Sequence, residues 1–332
     1  MKDFAGKIAF ITGGASGAGF GQAQIFSEAG MKVVIADVRQ DHLDEAMAYF
    51  KEKKADVHAI KLDVTDRAAY EKAAEEVERV YGSSPDLLVL TAGVNVFGPA
   101  EASTYEDYDW VFGVCFWGVV NGLVTFVPRM IKAGRGGHIT ATVSWGAFNA
   151  AAMVAPYTAA KAAALNLLES YYLALKPYGI GVSAVCPANI KSKIYESALN
   201  RPEGLQNTGY NVSEDTQKFL ASIHQHGMEP RVLAEYMKKG IESGQFLVIP
   251  YPSGPRMVEI EMERFKLYAT AEGTQELIDR ASRPVTEEQL KMMSEREGYE
   301  IKPGPRQSLT DTSGFGKAKS DLDWIDPNKK HQ

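Results

Sequence analysis

Cysteine is nearly absent: 332 residues carry two, Cys115 and Cys186. So low a count excludes a disulfide framework and fits a reducing compartment. Long lysine or arginine blocks are also missing and the formal net charge is -6, so a nucleic-acid partner is not expected. The opening stretch MKDFAGKIAF has Asp3 where a secretory leader needs apolar length, which predicts a cytoplasmic chain. No internal repeat occurs. Uncharged runs dense in large apolar side chains are equally scarce, and the run at residues 110–127, WVFGVCFWGVVNGLVTFV, stands out. Gly118 and Gly122 give it the small-residue spacing of paired membrane helices. Asn121 interrupts the run and no second segment resembles it, so the expectation is a core helix that also serves a subunit interface, with no membrane partner.

What is present is alternation. Short apolar runs at 7–12, 32–38, 59–64, 87–93, 137–144, 181–187 and 244–250 read as strands, and helical patterns fall at 20–30, 42–54, 67–82 and 157–179. Strands of this kind, alternating with helices, predict an α/β fold: a doubly wound parallel sheet with helices on both faces. One domain over 1–252 is expected, with an insertion at about 193–230 placed to act as a lid. Residues 253–332 read as an extension with two amphipathic helices in 256–297 and a polar tail over 302–332.

The first strand runs into TGGASGAGFG, a strand–glycine–helix junction of the kind that binds phosphate on free helical amides. A P-loop is excluded because Gln22 and Ala23 follow Gly21. The Gly-x-Gly-x-x-Gly fingerprint also fails, since Gln22 stands where its third glycine belongs. The spacing that holds is Thr12-Gly13-x-x-x-Gly17-x-Gly19, which resembles the glycine signature of the short-chain dehydrogenase/reductase family. Gly13 permits the turn, Gly17 admits a pyrophosphate close to the backbone, and Gly19 lets the helix approach the sheet. Asp37 ends the second strand, where a carboxylate accepts hydrogen bonds from both ribose hydroxyls. Two phosphate charges about 5 Å away would cost on the order of 2–6 kcal/mol, so NAD is expected over NADP. Arg39 could soften that preference by pairing with a phosphate. The resemblance further implies cofactor contacts at Ser16 and Ala18 in the loop and at Asp63 and Val64 beside the adenine. It also implies contacts at Ala92 and Gly93, and at Pro187, Ile190 and Ser192 around the carboxamide.

In YTAAK, Tyr157 and Lys161 lie four apart on one helical face, and Ser144 ends a strand thirteen residues before Tyr157. The three together match the family's catalytic set. A base that removes a hydroxyl proton while hydride leaves needs a pKa near the working pH. An ammonium about 4 Å from a phenol gives roughly 4 kcal/mol at an effective dielectric of 20, enough to lower its pKa by about 2–3 units. The expectation is that Tyr157 is the acid/base, Lys161 tunes it and holds the nicotinamide ribose, and Ser144 binds the substrate oxygen. Two departures stand out. Cys115 occupies the place of the family's fourth catalytic residue, an asparagine in the proton relay, and Leu90-Thr91-Ala92-Gly93 replaces Asn-Asn-Ala-Gly. The relay is then either rerouted through Thr91 or Asn121, or impaired.

The segments TGGASGAGFGQA, TAGVNVFGP, VTFVPRMI, PANIKS, SIHQHGMEP and VIPYP together resemble the Cα-dehydrogenases, which oxidise the benzylic alcohol of lignin-type β-aryl ethers. The resemblance implies an aromatic secondary alcohol as substrate and its ketone as product. Asn95, Phe97, Trp145, Phe148 and Met153 are the expected apolar wall of the pocket. His224 and His226 have no neighbouring acidic or thiol ligand to complete a metal site and read as lid or surface residues. The helices at 107–132 and 157–176 resemble those through which relatives pair, which implies a homodimer or homotetramer. Another alcohol or ketone substrate within the family, and NAD binding without turnover, remain alternatives.

Overall fold

In the computed structural model, residues 1–281 are described. The expectations for the polar tail, and for the extension beyond residue 281, lie outside the described residues. Seven strands, β1 (Ile8–Thr12), β2 (Lys32–Asp37), β3 (Val57–Lys61), β4 (Leu87–Leu90), β5 (Gly137–Thr142), β6 (Ile180–Val185) and β7 (Leu247–Val248), form one parallel sheet in the order β3-β2-β1-β4-β5-β6-β7. The helices are α1 (Gly17–Glu28), α2 (Gln40–Glu52), α3 (Arg67–Tyr81), α4 (Tyr105–Phe112), α5 (Gly118–Ala133), α6 (Ala155–Ala174), α7 (Glu214–His224), α8 (Pro230–Ser243), α9 (Gly254–Tyr268) and α10 (Ala271–Ala281). β1 and β4 are buried along their whole length because each feeds side chains to two cores. Phe10, Leu88, Tyr70, Phe126 and Leu168 fill one side, and Ile11, Val33, Ile35, Phe26 and Met237 the other.

The chain crosses the sheet between β3 and β4, so β4 lies on the opposite side of β1 from β2. The resulting switch point opens a crevice at the carboxyl ends of the strands. Strand ends are set by side chains there. β3 stops at Lys61 and not at residue 64, because Asp63 accepts hydrogen bonds from the amide and hydroxyl of Thr65 and turns the chain. β4 stops at Leu90 because the Thr12 hydroxyl accepts from the amides of Thr91 and Ala92.

The apolar run is a continuous helix over Tyr105–Ala133, with a π-helical turn at Gly113–Trp117 joining α4 to α5. By length and composition it would reach across a membrane, yet 61% of its apolar window is buried within this fold. Its glycine pair has an internal purpose. A Cβ on Gly118 would meet Val64 at 2.8 Å and one on Gly122 would meet Leu90 at 2.6 Å, so the spacing lets the helix seat on the sheet. Helix α6 ends at Ala174, short of the expected 179, and a 3₁₀ turn over Lys176–Tyr178 completes the segment.

Between β6 and α8 the insertion folds as 3₁₀ turns (Ile194–Asn200 and Glu203–Leu205) followed by α7. It is fastened to α4 through Arg201, whose guanidinium donates to Asp107 at 2.6 Å with both side chains buried.

Candidate active site

A cavity of about 620 Å³ opens at the switch point. Its floor is the glycine turn. Gly13 and Gly17 have φ of 64° and 49°, conformations that other residues adopt only under strain. A Cβ on Gly19 would stand 2.1 Å from the Gly13 carbonyl oxygen, and one on Gly17 would face Ser192 at 3.0 Å. A side chain on Gly17 would crowd the cavity floor and one on Gly19 would push α1 off the turn, which delivers the first amides of α1 to the cavity. The residues therefore fit a dinucleotide.

Asp37, buried at the end of β2, lines the same cavity. Its carboxylate accepts from the amides of Ala15 at 3.3 Å and Arg39 at 3.1 Å. Burial pushes its carboxyl above the ordinary value, and those amides oppose the rise. The Arg39 guanidinium is engaged elsewhere: it pairs with both carboxylate oxygens of Asp41 and donates to Asn200 at 3.1 Å. Ser16, Ala18, Asp63, Val64, Ala92, Gly93, Pro187, Ile190 and Ser192 all face the cavity. Thr12 does not; it is buried beneath the wall and positions Thr91 and Ala92.

Ser144, Tyr157 and Lys161 meet on the cavity wall. Ser144 follows β5 in extended backbone, and its Oγ accepts from the Gly146 amide at 3.0 Å. Lys161 is buried, with Nζ donating to the Thr142 carbonyl at 2.8 Å and lying 5.5 Å from the centre of the Tyr157 ring. The phenol departs from expectation in one respect. Burial pushes the Tyr157 pKa up, and the Lys161 ammonium and the Ser144 hydroxyl offset only part of the rise. The ring is half-buried on the cleft wall, and the loss of water at the phenol outweighs one cation.

The Cys115 thiol is fully buried. It donates to the Val94 carbonyl at 3.2 Å and accepts from the Val94 amide at 3.4 Å. The two side chains named as relay substitutes are committed to other bonds. Asn121 donates to the Val64 carbonyl at 3.0 Å, and Thr91 donates to Gln22 at 2.7 Å and stands 2.8 Å from the Thr142 hydroxyl.

Of the expected substrate wall, Asn95 and Phe97 line the cavity, whereas Trp145, Phe148 and Met153 do not. Trp145 and Phe148 pack on each other at 5.4 Å and against Tyr251 and Met257, because α9 turns back over them and draws the two rings into a separate small core. Met153 uses its carbonyl to hold the Gly98 amide. Asn149, Val154 and Leu205 form part of the wall in their place, together with His224. The sequence marks His224 only as one of a pair; its place on the wall depends on contacts with residues 97 and 195.

Residues 7–202 match the family described as short chain dehydrogenase, and the chain belongs to it, an oxidoreductase with a Rossmann-like sheet. Among its relatives is the C alpha-dehydrogenase of Sphingobium sp. (strain NBRC 103272 / SYK-6), 54% identical over 252 residues, covering 76% of this chain and 83% of that protein. The crystal structure of LigD in its apo form, from Sphingobium sp. strain SYK-6, superposes with a TM-score of 0.67 at 46% identity, covering 79% of this chain and 97% of that one. A short-chain dehydrogenase/reductase from Burkholderia phymatum, solved in complex with NAD, superposes with a TM-score of 0.75 at 29% identity, covering 81% and 97%.

Proposed function

We propose that this enzyme uses NAD to oxidise the secondary benzylic alcohol of an aryl carbinol to an aryl ketone, with Tyr157 as acid/base. One observation carries the reading: Ser144, Tyr157 and Lys161 share a cavity wall with the glycine turn and with the Asp37 carboxylate. Asp37 accepts ribose hydroxyls and repels a 2′-phosphate, and Arg39, already neutralised by Asp41, offers little to attract one. NAD supplies the two-electron acceptor that takes the carbinol hydride. The Tyr157 phenolate takes the hydroxyl proton, Ser144 holds the same oxygen through the change from hydroxyl to carbonyl, and Lys161 stabilises the phenolate. When bound, the positive ring of the oxidised nicotinamide would add to the stabilisation that Lys161 gives the phenolate.

The benzylic substrate is supported by the identity to the C alpha-dehydrogenase and by Phe97 on the cavity wall. A place in the breakdown of lignin-type aryl ethers follows from that substrate, and the two free cysteines fit the cytoplasm. The segment 193–230 serves as a lid on the 1–252 domain, and the described residues from 253 onward begin its extension. Exposed Trp117 on the turn before α5, Val124 on α5 and Leu173 on α6 supply the apolar face of a homodimer or homotetramer. The direct test offers benzylic alcohols, a steroid alcohol and a polyol with NAD⁺ or NADP⁺ and follows reduced cofactor by absorbance. Fastest reduction of NAD⁺ by the benzylic alcohols is expected; preference for another alcohol class, or binding of NAD with no reduction, would overturn the reading.

A further inference from the structure

His224, the last residue of α7, and His226, in the turn after it, have different surroundings. His226 is exposed, its Nδ1 2.8 Å from the Ser222 carbonyl. His224 is half-buried on the wall of the cavity that holds Tyr157, with its Nδ1 2.8 Å from the Leu220 carbonyl. A carbonyl oxygen only accepts, so the proton resides on Nδ1 and the neutral ring presents a lone pair at Nε2. Burial holds the His224 pKa below its ordinary value, which keeps that ring neutral at physiological pH. Nε2 makes no hydrogen bond among the described residues. The imidazole is flanked by Phe97, edge-on at 5.9 Å and 77°, and by Tyr195 at 6.0 Å. Asn95, 8% exposed on the same wall, gives its amide to Ser197 at 3.2 Å, while its Oδ1 has no partner among the described residues.

This part of the cavity wall therefore joins an aromatic surface to one uncharged hydrogen-bond acceptor, His224 Nε2. Such a surface suits a planar ring that carries a donor, which the Nε2 lone pair accepts. A phenol is a stronger donor than an alkyl alcohol and brings the ring that the Phe97 edge accommodates. We propose that His224 is a substrate-contact residue whose Nε2 accepts a hydrogen bond from a hydroxyl on the substrate's aryl ring, so that the enzyme selects phenolic aryl carbinols over their O-alkylated counterparts. The inference rests on the aryl-carbinol function proposed above.

The test compares 1-(4-hydroxyphenyl)ethanol and 1-(3-hydroxyphenyl)ethanol with their methoxy and fluoro analogues, each oxidised with NAD⁺ and read as kcat/KM. The favoured phenol is expected to exceed both analogues by about tenfold, the range of one hydrogen bond with a partner otherwise left unpaired. His224→Phe should bring the ratio near one by lowering kcat/KM for the phenol more than for the methoxy compound, and His224→Gln, which retains an acceptor, should recover part of the preference. A wild-type ratio near one, or an unchanged ratio in a folded His224→Phe variant, would overturn the inference and leave the proposed function standing. Should that variant not fold, the wild-type ratio and the His224→Gln ratio decide. Oxidation of none of these carbinols would overturn the proposed function and this inference together, and is told apart by the absence of any rate.

Discussion

A thiol at position 115 makes, with two weak bonds, the same kind of backbone clamp that a carboxamide would make with two stronger ones. Cys115 holds both the amide and the carbonyl of Val94, and Val94 leads directly into Asn95 on the cavity wall. Its role on this geometry is to fix the loop after β4. Cys115→Ala would leave two part-buried backbone groups unpaired and should lower stability by about 1–3 kcal/mol. Urea unfolding measures this directly, and an unchanged midpoint would show that the thiol holds nothing. Tyr157 illustrates a different balance at the same scale. The helical spacing of Tyr157 and Lys161 shows that a cation is near the phenol, but spacing carries no information on how much water the phenol loses, and that loss dominates.

Among the elements, the insertion is held by a buried ion pair that joins parts of the chain distant in sequence. Arg201 donates to Asp107 and to the Asn207 carbonyl at 2.8 Å, and its guanidinium lies 5.2 Å from the Trp110 ring. Asp107 also accepts from Thr208 at 2.8 Å and closes the capping box of α4 with Thr104. Replacing Arg201 by Met would strand a buried carboxylate, and a loss of about 3–5 kcal/mol is expected in denaturant titration. Arg201→Met combined with Asp107→Leu should lose clearly less, since no charge is then left alone. The strands and the glycine turn are legible in the sequence because apolar runs and glycine spacing are local signals. The insertion is not, because what holds it is a pairing across 94 residues. The same limit explains Trp145 and Phe148: their position beside Ser144 makes them pocket candidates, and only the return of α9 with Met257 draws them into a core. Gly118 and Gly122 carry a local pattern with two physical meanings, membrane pairing or close seating on a sheet, and the contacts with Val64 and Leu90 select the second.

For the whole molecule, the parallel sheet imposes a dependence on pH. His138 is buried in β5, its Nε2 2.9 Å from the Ser183 hydroxyl and its ring against Gly181, where a Cβ would come within 2.5 Å. Burial pushes its pKa down to about 3, so between about 6.5 and 3 the unfolded chain binds a proton at this site that the folded chain does not. Stability should therefore fall as pH drops through that window, by on the order of 2–5 kcal/mol from this group. His138→Gln should show a shallower loss in thermal melts between pH 7 and 4.5; an equal slope would mean that the group does not govern acid sensitivity. The order of the strands is what makes the site possible at all. Placing β1 between β2 and β4 brings the glycine turn, Asp37 and Ala92 to one crevice, and β5 and β6 extend it to Ser144 and Pro187.

The measurement closest to the central claim compares wild type with Tyr157→Phe in NAD⁺ reduction by a benzylic alcohol, with cofactor affinity and thermal stability followed in parallel. Removing the group that takes the proton should lower kcat by about 10²–10⁴-fold while the folded protein still binds NAD. Near-normal turnover in a folded, NAD-binding Tyr157→Phe enzyme would contradict the account.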